Sequence, residues 1–228
     1  MSNYLFKIEL LSDTTLGRGD GVAGLVDQEV EHDSYGFPYL RGRTLKGLLR
    51  EECDNLVAFI STDWQRLANT LFGIPGSGIG TIAEIHVGDA CLPEDLRQAV
   101  ALQFEQEAYR GEISLTATDI LSSLTTFRRQ TAIDPKDGAA KEKSLRSSRV
   151  ILRELCFTAP LIFETQPTDD LNKMLALLAA STLALRRIGS GRNRGRGHVK
   201  CTLWEQKNQE IREITSEYLR RFEQETKA

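Results

Sequence analysis

The sequence predicts an α+β fold of the ferredoxin-like kind, a split βαβ core with an embellished middle. Three observations predict it. Apolar residues alternate with polar ones near 4–11, 81–87 and 199–203, the period of half-buried strands, and 150–157 reads as a further strand. Between those stretches the apolar residues recur at helical spacing, so strand and helix alternate along the chain. No stretch repeats at a fixed period, which removes solenoid and propeller architectures.

The elements follow in order. Tyr4, Phe6, Ile8 and Leu10 share one side of the first strand, with Lys7 and Glu9 on the other. Leu16–Gly24 is too rich in glycine for regular structure, Val26–Val30 reads as a short extended piece, and Ser34–Pro38 reads as a turn. A helix is expected from about Thr44, with Leu45, Leu48, Leu49, Cys53, Leu56 and Ile60 at helical spacing. Trp64–Phe72 predicts a second helix, stopped by Gly73. Ile74–Gly80 reads as a link, and Thr81–Val87 as a strand. Pro93-Glu94-Asp95 opens a helix to about Tyr109, with Leu96, Val100 and Phe104 expected inward. Leu115–Leu124 fits strand or helix.

Thr126–Arg149 is polar and basic, with a turn at Asp134–Gly138, and predicts a hairpin that leaves the core. Val150–Phe157 returns as a strand, and a short run follows at Pro160–Phe163. Asp169 and Asp170 open a helix whose buried stripe is Leu171, Met174, Leu175, Leu178, Thr182 and Leu185. Val199, Cys201 and Leu203 form the last strand, and Glu205–Thr226 is expected to be a charged helix with Ile211, Ile214, Tyr218 and Phe222 inward. The sheet of such a core leaves one face for single-stranded nucleic acid.

The 228 residues suffice for one sizeable core, read as a single domain over 1–228. No apolar run approaches the roughly 20 residues of a membrane span, and residues 1–12 lack a basic region followed by an apolar core, so neither membrane insertion nor a signal peptide is expected. Cys53, Cys91, Cys156 and Cys201 are scattered, which favours reduced thiols and a cytoplasmic location. The net charge of −3 excludes a protein that coats nucleic acid over its whole surface. Positive charge instead gathers at 41–50, 128–153 and 186–200, a local basic track on an acidic body.

Two stretches carry the chemistry. Gly189-Ser190-Gly191-Arg192-Asn193-Arg194-Gly195-Arg196-Gly197 follows an apolar helix and precedes a strand. Glycine leaves room for a polyanion to approach main-chain N–H groups, and the arginines offer planar forks that match phosphate oxygens. A helix stop alone accounts for Gly189 but not for the glycines and arginines beyond it. In the second stretch, Gly42 stands before an expected helix N-terminus, where unpaired N–H groups attract phosphate, and Thr44 is placed to cap. Arg43, Lys46 and Arg50 fall on one face of the helix that follows. His32 is a candidate general acid/base, and His86 with Cys91 is at most half of a zinc site. No Ser/His/Asp set, phosphate-binding P-loop or dinucleotide fingerprint occurs.

Pro-Tyr-Leu-x-Gly-x-Thr-Leu-Lys-Gly-Leu-Leu-Arg at 38–50 together with Gly-Ser-Gly-x-x-x-Gly-x-Gly at 189–197 resembles the RAMP superfamily of CRISPR effector proteins, and within it the Cas7-like backbone subunit of type III complexes. The resemblance implies an RRM-like palm with an inserted finger loop and a β-hairpin thumb at about 126–149. It implies CRISPR RNA, target RNA, other effector subunits and stacked copies of the chain as partners, in antiviral defence. By position it implies RNA contacts at Arg18, Gly42, Arg43, Lys46, Arg50, Arg128, Arg129, Gly189, Ser190, Gly191, Arg192, Asn193, Arg194, Gly195 and Arg196. In target-cleaving relatives an Asp between the first strand and the proline motif serves Mg²⁺-dependent cleavage, and Asp27 matches that position best, ahead of Asp20 and Asp33. The chain departs from the family at Arg41-Gly42-Arg43, where relatives often have Pro-Gly-Ser, and it lacks the usual proline soon after Asp27. The alternatives are a structural subunit without cleavage, a metal-independent CRISPR RNA-processing nuclease using His32, and a single-stranded RNA-binding module outside CRISPR systems.

Overall fold

The computed structural model describes residues 3–227, except 18, 75–82, 112, 137, 165–168 and 209. The first strand, β1 (Asn3–Leu10), lies in the middle of a five-stranded sheet. Helices α1 (Gly42–Val57) and α2 (Thr62–Phe72) lead to the short edge strand β2 (Ile85–Val87). An excursion follows, made of α3 (Glu94–Arg110), α4 (Ala117–Leu124), and a two-stranded hairpin of β3 (Thr125–Gln130) and β4 (Arg146–Ile151). The chain re-enters the sheet as β5 (Cys156–Phe163), crosses through α5 (Asp169–Ala184) and returns as β6 (Val199–Lys207). β7 (Glu210–Glu213) and α6 (Thr215–Lys227) close it.

The sheet order is β2-β5-β1-β6-β7, and every pairing is antiparallel. Leaving out the excursion and β7, the order reduces to two interleaved βαβ units, β1-α1-β2 and β5-α5-β6. This is the ferredoxin-like arrangement, with the expected hairpin inserted between β2 and β5.

Burial explains the layers. Phe6, Ile8 and Leu10 of β1, Phe157, Ala159 and Leu161 of β5, and Val199, Cys201 and Leu203 of β6 are buried on one face of the sheet. Against them lie Leu45, Leu49 and Cys53 of α1, a stripe at four-residue spacing. α5 is buried nearly all round: the expected stripe is joined by Ala176, Leu177, Ala179 and Ala180. Its buried hydroxyls are satisfied within the helix, Ser181 donating to the Leu177 carbonyl and Thr182 to that of Leu178.

Several expectations need correction. α1 begins at Gly42, not Thr44, because Gly42 itself packs in the first turn. The α3 helix forms as expected and Val100 packs against the core half-buried, but none of its residues is fully buried and Leu96 is 44 % exposed. Only Phe104 makes a ring contact, edge-on to Tyr35. The return after the hairpin is not one strand over 150–157: β4 ends at Ile151, Glu154 turns with φ of 73°, and β5 runs on through Pro160. Proline is tolerated there because only its carbonyl is used, accepting from the Gly88 amide. The charged segment from 205 is not one helix either. β6 continues to Lys207, Asn208 takes φ of 50° in a turn, and β7 pairs back before α6 starts at Thr215. Asparagine accepts that conformation more readily than most residues. The link at 75–80, and residues 81 and 82 of the expected strand, lie outside the described residues.

Candidate nucleic-acid interface

The segment between α5 and β6 folds as a closed loop. Arg187 and His198 bridge at its base, Ile188 N–H donates to the Gly197 carbonyl, and Gly197 N–H donates to that of Asp13. Ser190 N–H donates to the Thr15 carbonyl. Arg192–Arg194 make a single 3₁₀ turn at the tip, with Gly191 (φ 80°) and Gly195 (φ 76°) on either side of it. The glycines therefore divide into two kinds. A Cβ on Gly189 would stand 2.5 Å from the Thr15 carbonyl oxygen, and one on Gly197 only 1.9 Å from that of Ile188. Those two let the loop close on its own chain. Gly191 and Gly195 face open space or the flexible Arg196 side chain.

The loop forms one wall of a groove of about 1160 Å³. The other walls are the hairpin, through Gln130, Arg146 and Ser148, the Asp27-Gln28 segment, and α1, through Glu51 and Glu52. Arg186, Arg187, Arg192, Arg194 and Arg196 line it. Arg187 is held by the Arg192 carbonyl, and Arg192 stands 3.8 Å from Glu51. Arg194 and Arg196 have no acidic partner among the described residues. Gly189, Ser190, Gly191 and Asn193 line it as well, whereas Gly195, expected with them, lines a separate cavity beside Asp13 and Arg128. A smaller cavity of 360 Å³, shared through Gly189, Ser190 and Arg192, continues toward Gly17, Tyr39 and Arg41.

The hairpin register sorts its arginines. Arg128 pairs with Ser148 and Arg129 with Ser147, so the two point to opposite faces. Arg128 is tied at 2.7 Å to Asp13, which also accepts from the Arg153 amide. Arg129 stands exposed on the other face.

The proline-motif residues have different work. Gly42 N–H, expected to attract phosphate, donates at 2.7 Å to Asp89. A Cβ on Gly42 would lie 2.2 Å from the Val87 carbonyl oxygen, so the glycine serves the packing of α1 on β2. Thr44 does not cap; Arg41 holds the N-cap position without a side-chain bond. Lys46 bends inward and donates to the Ile85 carbonyl, and burial lowers its pKa. Arg50 is a structural hub, bonded to Asp54, to the carbonyls of Ala68 and Gly73, and to Asn69. Arg43 remains exposed and lines neither cavity. Arg18 lies outside the described residues.

The open face of the sheet is poorly suited to base stacking. Trp204 is its one Phe, Tyr or Trp side chain among the described strand residues, and Lys7 Nζ sits 3.7 Å over that ring. The arginine-lined groove lies apart from that face.

Asp27 stands at the groove edge. Its Oδ2 accepts the Ser147 amide at 2.7 Å, and Arg146 lies 3.6 Å from Oδ1. The Ser147 amide first, and the Arg146 charge next, hold its carboxyl below the usual carboxylate range. Asp33 is consumed locally, accepting from the Tyr35 and Phe37 amides. His32 bonds through Nδ1 to the Asp33 carbonyl and lies outside the groove. No group of three or more His, Cys, Asp or Glu side chains among the described residues is arranged to hold a metal, which includes the His86–Cys91 pair. Mg²⁺ commonly takes one or two carboxylates, keeps several waters and draws on substrate phosphates. Asp27 offers one carboxylate at the groove edge, with Oδ2 engaged by the Ser147 amide and Oδ1 facing Arg146.

Three groups that shape the site carried no local signal in the sequence: Asp13, Asp89 and Glu29. Arg146 and Gln130 were discoverable from the hairpin, since its turn fixes which residues face one another.

The RAMP superfamily model matches residues 7–200. No curated protein matches the sequence. Among solved structures, the type III-B Cmr-beta complex bound to cognate target RNA contains a similar chain, with a TM-score of 0.63 and 13 % identity over 96 % of this chain and 99 % of that one. The apo state of type III-B Cmr-beta gives 0.62 and 13 %, over 94 % and 97 %. Oligomeric Cmr4 from Pyrococcus furiosus gives 0.50 and 17 %, over 91 % and 100 %. These likenesses extend over the whole architecture. No helix among the described residues is long and apolar enough to cross a membrane.

Proposed function

The chain belongs to the RAMP superfamily, and from that premise we propose that it is a CRISPR RNA-binding backbone subunit of a type III effector complex, cutting guide-paired target RNA at Asp27. The observation that carries the reading is the groove, where five arginines of one loop and Arg146 of the hairpin stand beside the Asp27 carboxylate, across from Glu51 and Glu52 of α1. Cmr-beta was solved on cognate target RNA and Cmr4 as an oligomer. We carry both features to this chain: guide and target RNA as ligands, and copies of the chain with other effector subunits as neighbours.

Arg194 and Arg196 grip the guide backbone, since no acid among the described residues competes for them. The β3–β4 hairpin acts as the thumb that separates paired bases. The groove's acids, Glu51 and Glu52, repel RNA that is not aligned with the arginine wall. Asp27, kept ionised by Ser147 and Arg146, is presented to the ribose-phosphate of the target strand. A bound Mg²⁺ would supply charge neutralisation at the scissile phosphate and orient the 2′-OH for in-line attack. The protein's own part is to fix the strand and to offer that carboxylate without first removing a proton from it.

The test uses the assembled complex with a fixed guide and matched RNA. Asp27→Ala should lower the single-turnover cleavage rate at least about 100-fold while guide affinity stays within about two-fold. Cleavage at the wild-type rate would remove Asp27 from the chemistry, and a wild-type complex that never cuts would leave the purely structural subunit. Arg194→Ala with Arg196→Ala should weaken guide binding and flatten its salt dependence by about 1.4 in log–log slope, at about 0.7 per phosphate contact on single strands.

A further inference from the structure

The short segment carrying Asp27 is joined to the edge of the hairpin along β4. Asp27 N–H donates to the Ser147 carbonyl at 2.9 Å, and Arg149 N–H donates to that of Gln28 at 3.0 Å. Gln28 and Ser148 form a parallel bridge. The carboxylate itself closes the pattern by accepting the Ser147 amide. Beneath this edge lies an ion pair. Arg149 Nε is 2.8 Å from Glu29 Oε1, and the two side chains are 9 % and 4 % exposed. Glu29 Oε1 also accepts the Val30 amide, and Arg149 reaches Thr125 Oγ1 and lies over the Phe127 ring at 4.5 Å. The pair thus joins the segment to both strands of the hairpin, across 120 residues of sequence.

A buried ion pair is a weak means of raising stability, because desolvation consumes most of the attraction. It is a strong means of fixing geometry, because each charge left alone in the interior is costly and the fork fits only one arrangement. Arg149 cannot follow the hairpin without taking Glu29 with it.

We propose that the Glu29–Arg149 pair locks the Asp27 segment to the thumb hairpin, so that Glu29 is a positioning residue that presents the Asp27 carboxylate according to where the hairpin stands. The inference deepens the cleavage reading and rests on it for its role. Displacement of the hairpin by a base pair entering the groove carries Asp27 along, and a hairpin in the wrong place withholds it.

Glu29→Gln keeps the shape and removes the charge. Hydrogen exchange on the purified chain should then be about 10-fold or more faster at the Asp27 and Arg149 amides, with the β1 and β6 amides unchanged. Unchanged protection at Asp27 and Arg149, or an equal loss throughout β1 and β6, would overturn the lock. Should Glu29→Gln fail to fold, Glu29→Met with Arg149→Met replaces the pair by apolar side chains of similar size. It should keep the β1 and β6 protection and still lose that at Asp27. In the assembled complex, Glu29→Gln should slow single-turnover cleavage about 10-fold with guide affinity unchanged, and equal rates would count against the inference. A wild-type complex that does not cut refutes the cleavage reading alone, since the exchange experiment still decides the lock.

Discussion

Placing alanine at Gly195 and at Gly197 separates glycines that face open space from those that let the loop close on its own chain. Both glycines are in the left-handed region, at φ of 76° and 69°. That conformation costs an alanine about 1–2 kcal/mol, and stiffening the unfolded chain returns about 0.4–1 kcal/mol. Gly195→Ala meets nothing within 4 Å, so its net cost is about 1 kcal/mol. Gly197→Ala meets the Ile188 carbonyl oxygen at 1.9 Å, a backbone atom that cannot swing away. Relief requires opening the loop base, with loss of the Ile188-to-Gly197 and Gly197-to-Asp13 hydrogen bonds. At about 1 kcal/mol each these raise the total to about 3–4 kcal/mol. For a chain of this length 1 kcal/mol corresponds to about 2–4 °C in melting temperature. Gly195→Ala should therefore melt about 2–4 °C lower and Gly197→Ala about 6–16 °C lower. Thermal denaturation followed by circular dichroism reads the difference. Two variants melting within about 3 °C of each other would refute the division of the glycines into closing and open ones.

Arg50→Met should destabilise the fold by about 1–3 kcal/mol, because it removes the guanidinium that donates to the part-buried Gly73 carbonyl, to the Ala68 carbonyl and to Asn69; urea denaturation measures it, and a shift below about 0.5 kcal/mol would contradict its role as a hub. Burial pushes the Cys53 thiol up to about 11 and that of Cys201 up to about 12, while Cys156 is exposed. At pH 8 iodoacetamide should modify Cys156 first and leave Cys53 and Cys201 unmodified in the folded chain, as mass spectrometry will show. The same shifts set a sign for stability. Between about pH 9 and the folded values the native state holds thiol protons that the unfolded chain has lost. Stability should fall as pH rises through that window, and a flat denaturation midpoint there would be the contrary result.

What the sequence made legible was local. The stripe from Leu171 to Leu185 and the turn at Asp134–Gly138 each have periods or turn residues that act within a few positions, and both were placed. The motif pair at 38–50 and 189–197 was enough to identify the family. What stayed hidden depends on partners far along the chain. Gly42 meets Asp89 after 47 residues, Asp13 meets Arg128 after 115, and Glu29 meets Arg149 after 120. Nothing near Arg50 in sequence announces that it is spent on the turn after α2. The error over 205–214 has another cause: a charged edge hairpin and a charged amphipathic helix share a composition, and only the turn at Asn208 distinguishes them.

Both margins of the palm are blunt. One is the three residues of β2, and the other is β7, whose Glu210, Ile211, Arg212 and Glu213 are all exposed and mostly charged. Such borders do not invite a neighbouring molecule to extend the sheet. Any second copy that meets this chain at either margin must therefore do so through side chains and inserted loops rather than by lengthening the sheet.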